Sequence, residues 1–226
     1  MAEHFGRAIE NLKRKILALG ALVEERVHEA IEAIENRDAN LARKVIDGDI
    51  EIDQAEVDVE EECLKLLALY QPVAIDLRFI IAVLKINNDL ERIGDFAVNI
   101  AERAVFLATQ PKPDLPLDFV GMMQKAQLML KNSLDALVTL SAALARQVLA
   151  ADDEVDAANR QMYITVQNGI RANPEKVESL IHILSASRHL ERIADLATNI
   201  AEDVIYMIEG EICRHKTEEY KTQIKK

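Results

Sequence analysis

Apolar residues recur at threes and fours from about Phe5 to Asn36, with Ile9, Leu12, Ile16, Leu19, Val23, Val27, Ile31 and Ile34 on one face. This spacing predicts one long amphipathic helix. Arg37-Asp38-Ala39-Asn40 interrupts it, and Asp38 is placed to cap a second helix running from about Ala39 to Tyr70. That helix stops at Gln71-Pro72. A third starts near Pro72, in a first turn where proline is welcome, and continues to about Thr109. A fourth is expected from about Leu117 to Ala150, through Met129, Leu134, Leu137, Leu140 and Leu144. A fifth runs from about Asp152 to Arg171, ending at Ala172-Asn173-Pro174, and a sixth extends to about Ile212. The tail from Arg214 to Lys226 is charged and is expected to fray. No stretch reads as a strand.

The third and sixth helices carry one segment twice. Leu90-Glu91-Arg92-Ile93-Gly94-Asp95-Phe96-Ala97-Val98-Asn99-Ile100-Ala101-Glu102 returns as Leu190-Glu191-Arg192-Ile193-Ala194-Asp195-Leu196-Ala197-Thr198-Asn199-Ile200-Ala201-Glu202, identical at ten of thirteen positions. Helix propensity does not demand this, because many residues serve equally well at an exposed helical position. The chain reads as an internal duplication. Gln110-Pro111-Lys112-Pro113-Asp114-Leu115-Pro116 is the clearest linker. The expected organisation is a bundle over 1–110, a proline-rich linker over 111–116 and a second bundle over 117–226. The fold class is all-α: two tandem antiparallel three-helix bundles related by internal duplication.

Composition narrows the function. Half of the 226 residues are hydrophobic, with seven Gly, five Pro and no Trp, which favours helices around an ample core. A formal charge of −12 excludes nucleic acid as a direct partner, since no basic patch offsets the phosphates. Cys63 and Cys213 lack paired spacing and read as buried thiols of a reducing compartment. The first fifteen residues do not resemble a secretory signal, and no apolar run reaches the ~18 residues that cross a bilayer. A soluble, cytoplasmic protein is expected.

Candidate chemistry lies in carboxylates. Glu91, Asp95, Asn99 and Glu102 fall within roughly an 80° arc of the third helix, opposite Leu90, Ile93, Ala97, Ile100, Ala101 and Ala104. Glu191, Asp195, Asn199 and Glu202 repeat the stripe. One such stripe is ordinarily a solvated face; two with Asn at the same place are harder to explain that way. In the second helix, Ile46, Ile50, Asp53, Val57, Glu60, Leu64 and Leu67 follow heptad spacing, which puts Asp53 and Glu60 in an apolar seam. A seam carboxylate is costly unless paired or bound to a cation. Folding the second helix back on the third about Pro72 sets Asp53 beside Glu91 and Asp49 beside Asp95. Asp152 and Asp156 on the fifth helix come within about a turn of Glu191 and Asp195 in the same way. The result is two sites of the form [Asp/Glu]-x-x-x-Asp, each built from two antiparallel helices.

Four convergent carboxylates need a cation or protons. Oxygen ligands suit hard ions such as Mg²⁺, Mn²⁺ or iron better than a thiolate zinc site. Neutralisation by Arg92, Arg192 or Arg78 is the structural alternative. Helical di-iron oxidases need Glu-x-x-His from two helices, and here Glu25-x-x-His28 is the single match, without a counterpart in the second half. His189, two residues before Glu191, is placed to join the second site or to be a surface histidine. No Ser/His/Asp set, glycine-rich phosphate loop or paired-cysteine motif is present. Three readings stand: a metal-binding adaptor, a carboxylate-bridged metal oxidase or phosphoester hydrolase, and a structural scaffold with solvated acidic stripes.

Certain segments carry a resemblance over essentially the whole chain. They are Gln71-Pro72-Val73-Ala74-Ile75-Asp76-Leu77-Arg78, the two Leu-Glu-Arg-Ile-x-Asp segments, and Asn199-Ile200-Ala201-Glu202-Asp203-Val204-Ile205-Tyr206-Met207-Ile208-Glu209-Gly210. Together they resemble the PhoU family, accessory and regulatory proteins of bacterial phosphate uptake. The resemblance implies two three-helix bundles that bind a divalent ion or multinuclear metal cluster (Mg, Mn, Fe or Zn). It assigns ligation to Glu91, Asp95, Glu191 and Asp195, with Asp49, Asp53, Asp152 and Asp156 as partner motifs. Family members often have His after the second-motif Asp, where this chain has Leu196, so a nitrogen ligand expected there is missing. The implied role is a negative regulator of the phosphate-starvation response. It links the ATPase subunit of a phosphate ABC transporter to a sensor histidine kinase and restrains uptake. It would be a homodimer, cytoplasmic, and peripheral to the inner membrane through its partners.

Overall fold

Asp38 closes one helix and opens the next, as its position in the pattern predicts. Arg37 adopts a left-handed φ of 56°, and the Asp38 carboxylate accepts hydrogen bonds from the Asn40 and Leu41 backbone N–H groups at 2.9 and 3.0 Å. The structure is a computed structural model that describes residues 2–112 and 119–210. The chain forms α1 (Ala2–Asn36), α2 (Ala39–Asp47), α3 (Asp49–Tyr70), α4 (Ala74–Ala108), α5 (Phe119–Thr139), α6 (Ala142–Ala172) and α7 (Val177–Glu209). A single 3-10 turn, Pro174–Lys176, leads into α7, and the described residues contain no strand. The fold class is all-α, as expected. Most of the linker, Cys213 and the charged tail lie outside the described residues.

Helices α1, α2, α3 and α4 pack on one another in the first half, and α5, α6 and α7 in the second. The halves meet mainly where α4 crosses α7, with α1 touching α5. Both central helices are apolar at threes and fours. Ile80, Val83, Ile86, Leu90, Ile93, Ala97, Ile100 and Ala104 of α4 are fully buried, as are Leu180, Leu190, Ile193, Ala197, Ile200 and Val204 of α7. Each large side chain contributes about 1.5–3 kcal/mol by leaving water.

Three expectations need correction. The second helix is not continuous, because Gly48 divides it into α2 and α3. Arg26, held by Glu29 and Glu51 at 2.8 Å each, lies directly against this glycine. A Cβ at Gly48 would stand 2.8 Å from Arg26 Nε. In the second half α6 runs unbroken through the corresponding Ala151.

The reversal between the fourth and fifth helices lies at Thr139-Leu140-Ser141, not near Ala150. Leu140 turns to φ 49°, and Ser141 Oγ accepts from the Leu144 N–H at 3.2 Å. No Gly or Pro marks this turn, and Leu140 and Leu144 carry the apolar period straight through it. Asp152 therefore sits inside α6 rather than at a helix start.

The proposed heptad seam of α3 faces outward. Ile50, Val57 and Leu64 are exposed, while Ile52, Val59, Cys63 and Leu66 meet the core. Both stripes have helical spacing, so periodicity could not choose between them. Asp53 and Glu60 are thus exposed rather than trapped in an apolar seam.

Helices α4 and α7 cross antiparallel. Lys85 Nζ pairs with the buried Asp203 at 2.9 Å, Arg103 Nε donates to Ser185 Oγ at 3.3 Å, and Phe106 stacks on His182 with centroids 3.8 Å apart. Lys85 and Asp203 are the repeat counterparts of Ser185 and Arg103. A pseudo-twofold axis therefore passes near Gly94 and Ala194.

Candidate metal centres

The antiparallel pair α3/α4 is pinned by Asn87. Its side-chain amide donates to the Glu56 backbone oxygen at 3.0 Å and to Glu56 Oε1 at 2.9 Å. This contact fixes the register that folding about Pro72 predicts, and one turn further along α4 the carboxylates gather. Burial raises the Glu91 pKa, helped by the charges of Asp95, Asp53, Glu56 and Asp49. Burial and then the Asp53 charge raise Asp95, against the opposing pull of Arg92. Asp49 is raised by burial, Asp53 and Asp95. The four residues are thus brought together.

Glu56 is a fifth member that the motif spacing did not expose. Burial, Glu60 and Asp53 push its pKa up. Its signal in the sequence was faint: it lies one turn beyond Asp53 on the face that meets α4. Among the described residues none of these five carboxylates forms an ion pair with Lys or Arg. Arg78, weighed as a neutralising group, stands instead against Gly210 at the end of α7.

The second half repeats the arrangement with different electrostatics. Ser187 Oγ donates to Asn159 Oδ1 at 3.0 Å, the counterpart of the Asn87–Glu56 contact. Carboxylate oxygens of Asp152, Asp156 and Asp195 lie within 4.8 Å of one another, and no group in the first half is that close among the described residues. Burial raises Asp195, with Arg192 opposing and Asp156 adding. Burial and then Asp195 raise Glu191. Arg192 Nη1 reaches Asp195 at 3.1 Å and Arg160 Nη1 reaches Asp156 at 3.5 Å. These cations let like charges approach, whereas the unneutralised carboxylates of the first half stand further apart. Asn159, where the first half has Glu56, removes one negative charge.

The glutamates at the far end of each stripe do not join these groups. Asn99 turns its amide back to the Asp95 backbone oxygen at 2.7 Å. Glu102 pairs with Arg103 at 3.3 Å, two turns beyond Asp95. Glu202 lies outside the close Asp152/Asp156/Asp195 group. A stripe along one helix spans about 16 Å from its first to its fourth member, and the facing helix meets only part of it. His189 stacks on Phe96 with centroids 5.7 Å apart and faces Ser185 at 3.3 Å. It too stands apart from the close group. Leu196 is buried, so its position points into the core. His28 contacts Gln127 of α5 at 2.8 Å, away from both carboxylate clusters.

The donors are carboxylates alone, which fits hard divalent cations or iron and not a thiolate zinc centre. The first centre would use Asp49, Asp53, Glu91 and Asp95, with Glu56 beside them. The second would use Asp152, Asp156, Glu191 and Asp195.

Fold and site together define an all-helical tandem-repeat protein with one acidic helix-pair groove in each half. The PhoU domain family model matches residues 16–104 and 119–204, and the chain belongs to the PhoU family. It is 39% identical over 212 residues to the phosphate-specific transport system accessory protein PhoU homolog of Aquifex aeolicus, covering 93% of this chain and 95% of that one. The solved PhoU structure from Pseudomonas aeruginosa superposes with a TM-score of 0.89 at 36% identity, covering 92% of this chain and all of the other. The phosphate transport system regulatory protein PhoU from Streptococcus pneumoniae gives a TM-score of 0.81 at 29% identity, over 92% and 98% of the two chains.

Proposed function

We propose that this chain is a metal-binding regulator of phosphate uptake that acts by contacting other proteins. The observation that carries this reading is the pair of carboxylate clusters at repeat-related positions. Five carboxylates on α3 and α4 gather without an ion pair to Lys or Arg among the described residues. Ionised together they repel, and a bound divalent cation removes that cost. The relatives' names supply the biological setting, a phosphate transport system. No described helix is long and apolar enough to cross a membrane, so contact with a transporter would run through a protein partner.

In this reading the protein is an adaptor rather than an enzyme. It holds the phosphate-starvation response off by joining a sensor histidine kinase to the ATPase subunit of a phosphate ABC transporter, and it works as a cytoplasmic homodimer. Elemental analysis of protein purified without chelator tests the metal. Wild type should carry stoichiometric metal, and Glu91→Gln with Asp95→Asn should lose the first-site share. Metal-free wild type would overturn the metal assignment. Deleting the gene should raise phosphate-uptake gene expression in phosphate-replete cells, and continued repression would overturn the regulatory assignment.

One observation favours a second reading at the second centre alone. Arg192 and Arg160 already pair with Asp195 and Asp156. There, ion pairing competes with metal as the source of neutralisation.

A further inference from the structure

The pseudo-twofold axis at the α4/α7 crossing generates two equivalent grooves, one at each end. They are lined by repeat-related residues of opposite electrical character. One groove, about 360 Å³, is lined by Lys85, Asn88 and Asp89 with Ile81 and Leu84. The other, about 270 Å³, is lined by Ser185, Arg188, His189, Arg192 and Phe96.

Position by position, Lys85 becomes Ser185, Asn88 becomes Arg188, Asp89 becomes His189, and Asp203 becomes Arg103. At the first end an amine faces two carboxylates, and Lys85 is satisfied by the buried Asp203 at 2.9 Å. At the second end two guanidiniums and an imidazole converge, and the counterpart of Lys85 is an uncharged hydroxyl. Duplication delivered two related grooves, and divergence made one of them cationic in a chain of net charge −12.

The cationic groove is also organised. Arg103 reaches across from α4 to donate through Nε to Ser185 Oγ at 3.3 Å, and Ser185 Oγ faces His189 Nε2 at 3.3 Å. Phe96 stacks on the His189 ring, which fixes its plane. Arg103 pairs with Glu102 beside it, and its side chain is only 27% exposed. Arg192 is engaged by Asp195. Arg188 has no ion-pair partner among the described residues.

We propose that the groove lined by Ser185, Arg188, His189 and Arg192, with Arg103 bonded to Ser185 from α4, is a binding site for a small tetrahedral oxyanion of the inorganic phosphate type. The planar guanidiniums of Arg188 and Arg192, with one further donor from the hydrogen-bonded Ser185–His189 pair between them, supply directional donors that match several oxygens of one anion. Arg188, which forms no ion pair among the described residues though its charge is felt at Glu191, and the missing Asp203 counterpart provide the charge. The site borders the second carboxylate cluster through Arg192, which pairs with Asp195, but draws its donors from side chains other than the carboxylates and requires no bound metal. Anion binding would tie α4 to α7 and so couple the two halves of the chain.

Inorganic phosphate binding to the full chain, dialysed against chelator, tests this by calorimetry or equilibrium dialysis. One equivalent should bind, displaced by sulfate and not by an equal concentration of chloride. Arg188→Asn with His189→Asp installs the residues of the sister groove and should weaken phosphate at least about tenfold, or 1.4 kcal/mol. Arg188→Asn alone, at an exposed position, should weaken it in the same direction without changing the melting temperature. Asn88→Ala, in the sister groove, should leave phosphate affinity within about twofold. The proposal is overturned by absence of binding at ten-millimolar phosphate, or by equal binding to wild type and the Arg188→Asn/His189→Asp protein. It is also overturned if binding appears only with added metal and vanishes in Glu191→Gln/Asp195→Asn. That last result would place the anion on a metal and leave the metal assignment standing.

Discussion

Gly94 of α4 lies so close to Ile52 of α3 that a Cβ at Gly94 would stand 3.0 Å from Ile52 Cδ1 and 3.2 Å from Cγ2. Both residues are buried beneath the first carboxylate cluster. In the second half the repeat counterparts are Ala194 and Val155, also buried, so a methyl gained on one helix matches a methyl lost on the other. Each half keeps its helix pair filled in its own way. Gly94→Ala alone should cost about 1–3 kcal/mol by overpacking. Ile52→Val alone should cost about 0.5–1.5 kcal/mol. The double variant should be more stable than the sum of the two losses predicts, as read by denaturant unfolding. Simple additivity would refute the packing relationship.

The acidic clusters set a pH dependence with a definite sign. Glu91, Asp95, Asp49 and Glu56 all have pKa values raised in the folded state. A raised carboxylate contributes stability that is present below its unfolded pKa and lost as pH rises through the folded value. In chelator-treated protein, Glu91→Gln/Asp95→Asn should therefore be more stable than wild type at pH 7. The difference should shrink as pH falls toward 4. Thermal melts across this range measure it, and a difference that grows toward acid would reverse the assignment of cause.

Manganese should reveal the inequality of the two centres. The first groups five carboxylates without ion pairs to Lys or Arg among the described residues, while the second is partly offset by Arg160 and Arg192. A ligand that binds the folded state stabilises it by RT ln(1 + [L]/Kd), so a tighter site contributes more at a given concentration. Glu91→Gln/Asp95→Asn should abolish more of the Mn²⁺-induced rise in Tm than Glu191→Gln/Asp195→Asn does. Equal losses from the two variants would show that the arginines do not discriminate between the sites.

Cys63 should behave as an inert thiol. It is fully buried, and burial with the charges of Glu62 and Glu60 pushes its pKa up to about 12. The thiolate that alkylating reagents need is therefore almost absent at pH 8. Peptide mass spectrometry after brief iodoacetamide treatment should find Cys63 unmodified in native protein and fully modified in denaturant. Rapid native labelling would mean that α3 opens locally.

The carboxylate pairing was legible from the chain because two facts sufficed for it. Pro72 locates a reversal, and antiparallel helices then pair residues at a calculable register, which Asn87 and Glu56 display. The reversal at Leu140 was illegible for the opposite reason. A leucine in a left-handed conformation costs about 1–2 kcal/mol locally and leaves no compositional mark. Only packing of α5 and α6 against α7 offsets it. The face of α3 was equally hidden, since Ile50, Val57 and Leu64 repeat with the same period as the buried Ile52, Val59 and Leu66.

The chain by itself determined the helices, the duplication and the carboxylate content of each half, because these follow from local spacing and from comparison of one segment with another. Tertiary structure alone decided that Glu56 stands beside the first group, which arginines offset the second, and that Glu102 and Glu202 lie apart. It alone showed that the repeats cross near Gly94 and Ala194, which makes two grooves equivalent and their unequal charge meaningful. The physical reason is that charge and packing act through space, over a few ångströms between helices that are far apart along the chain.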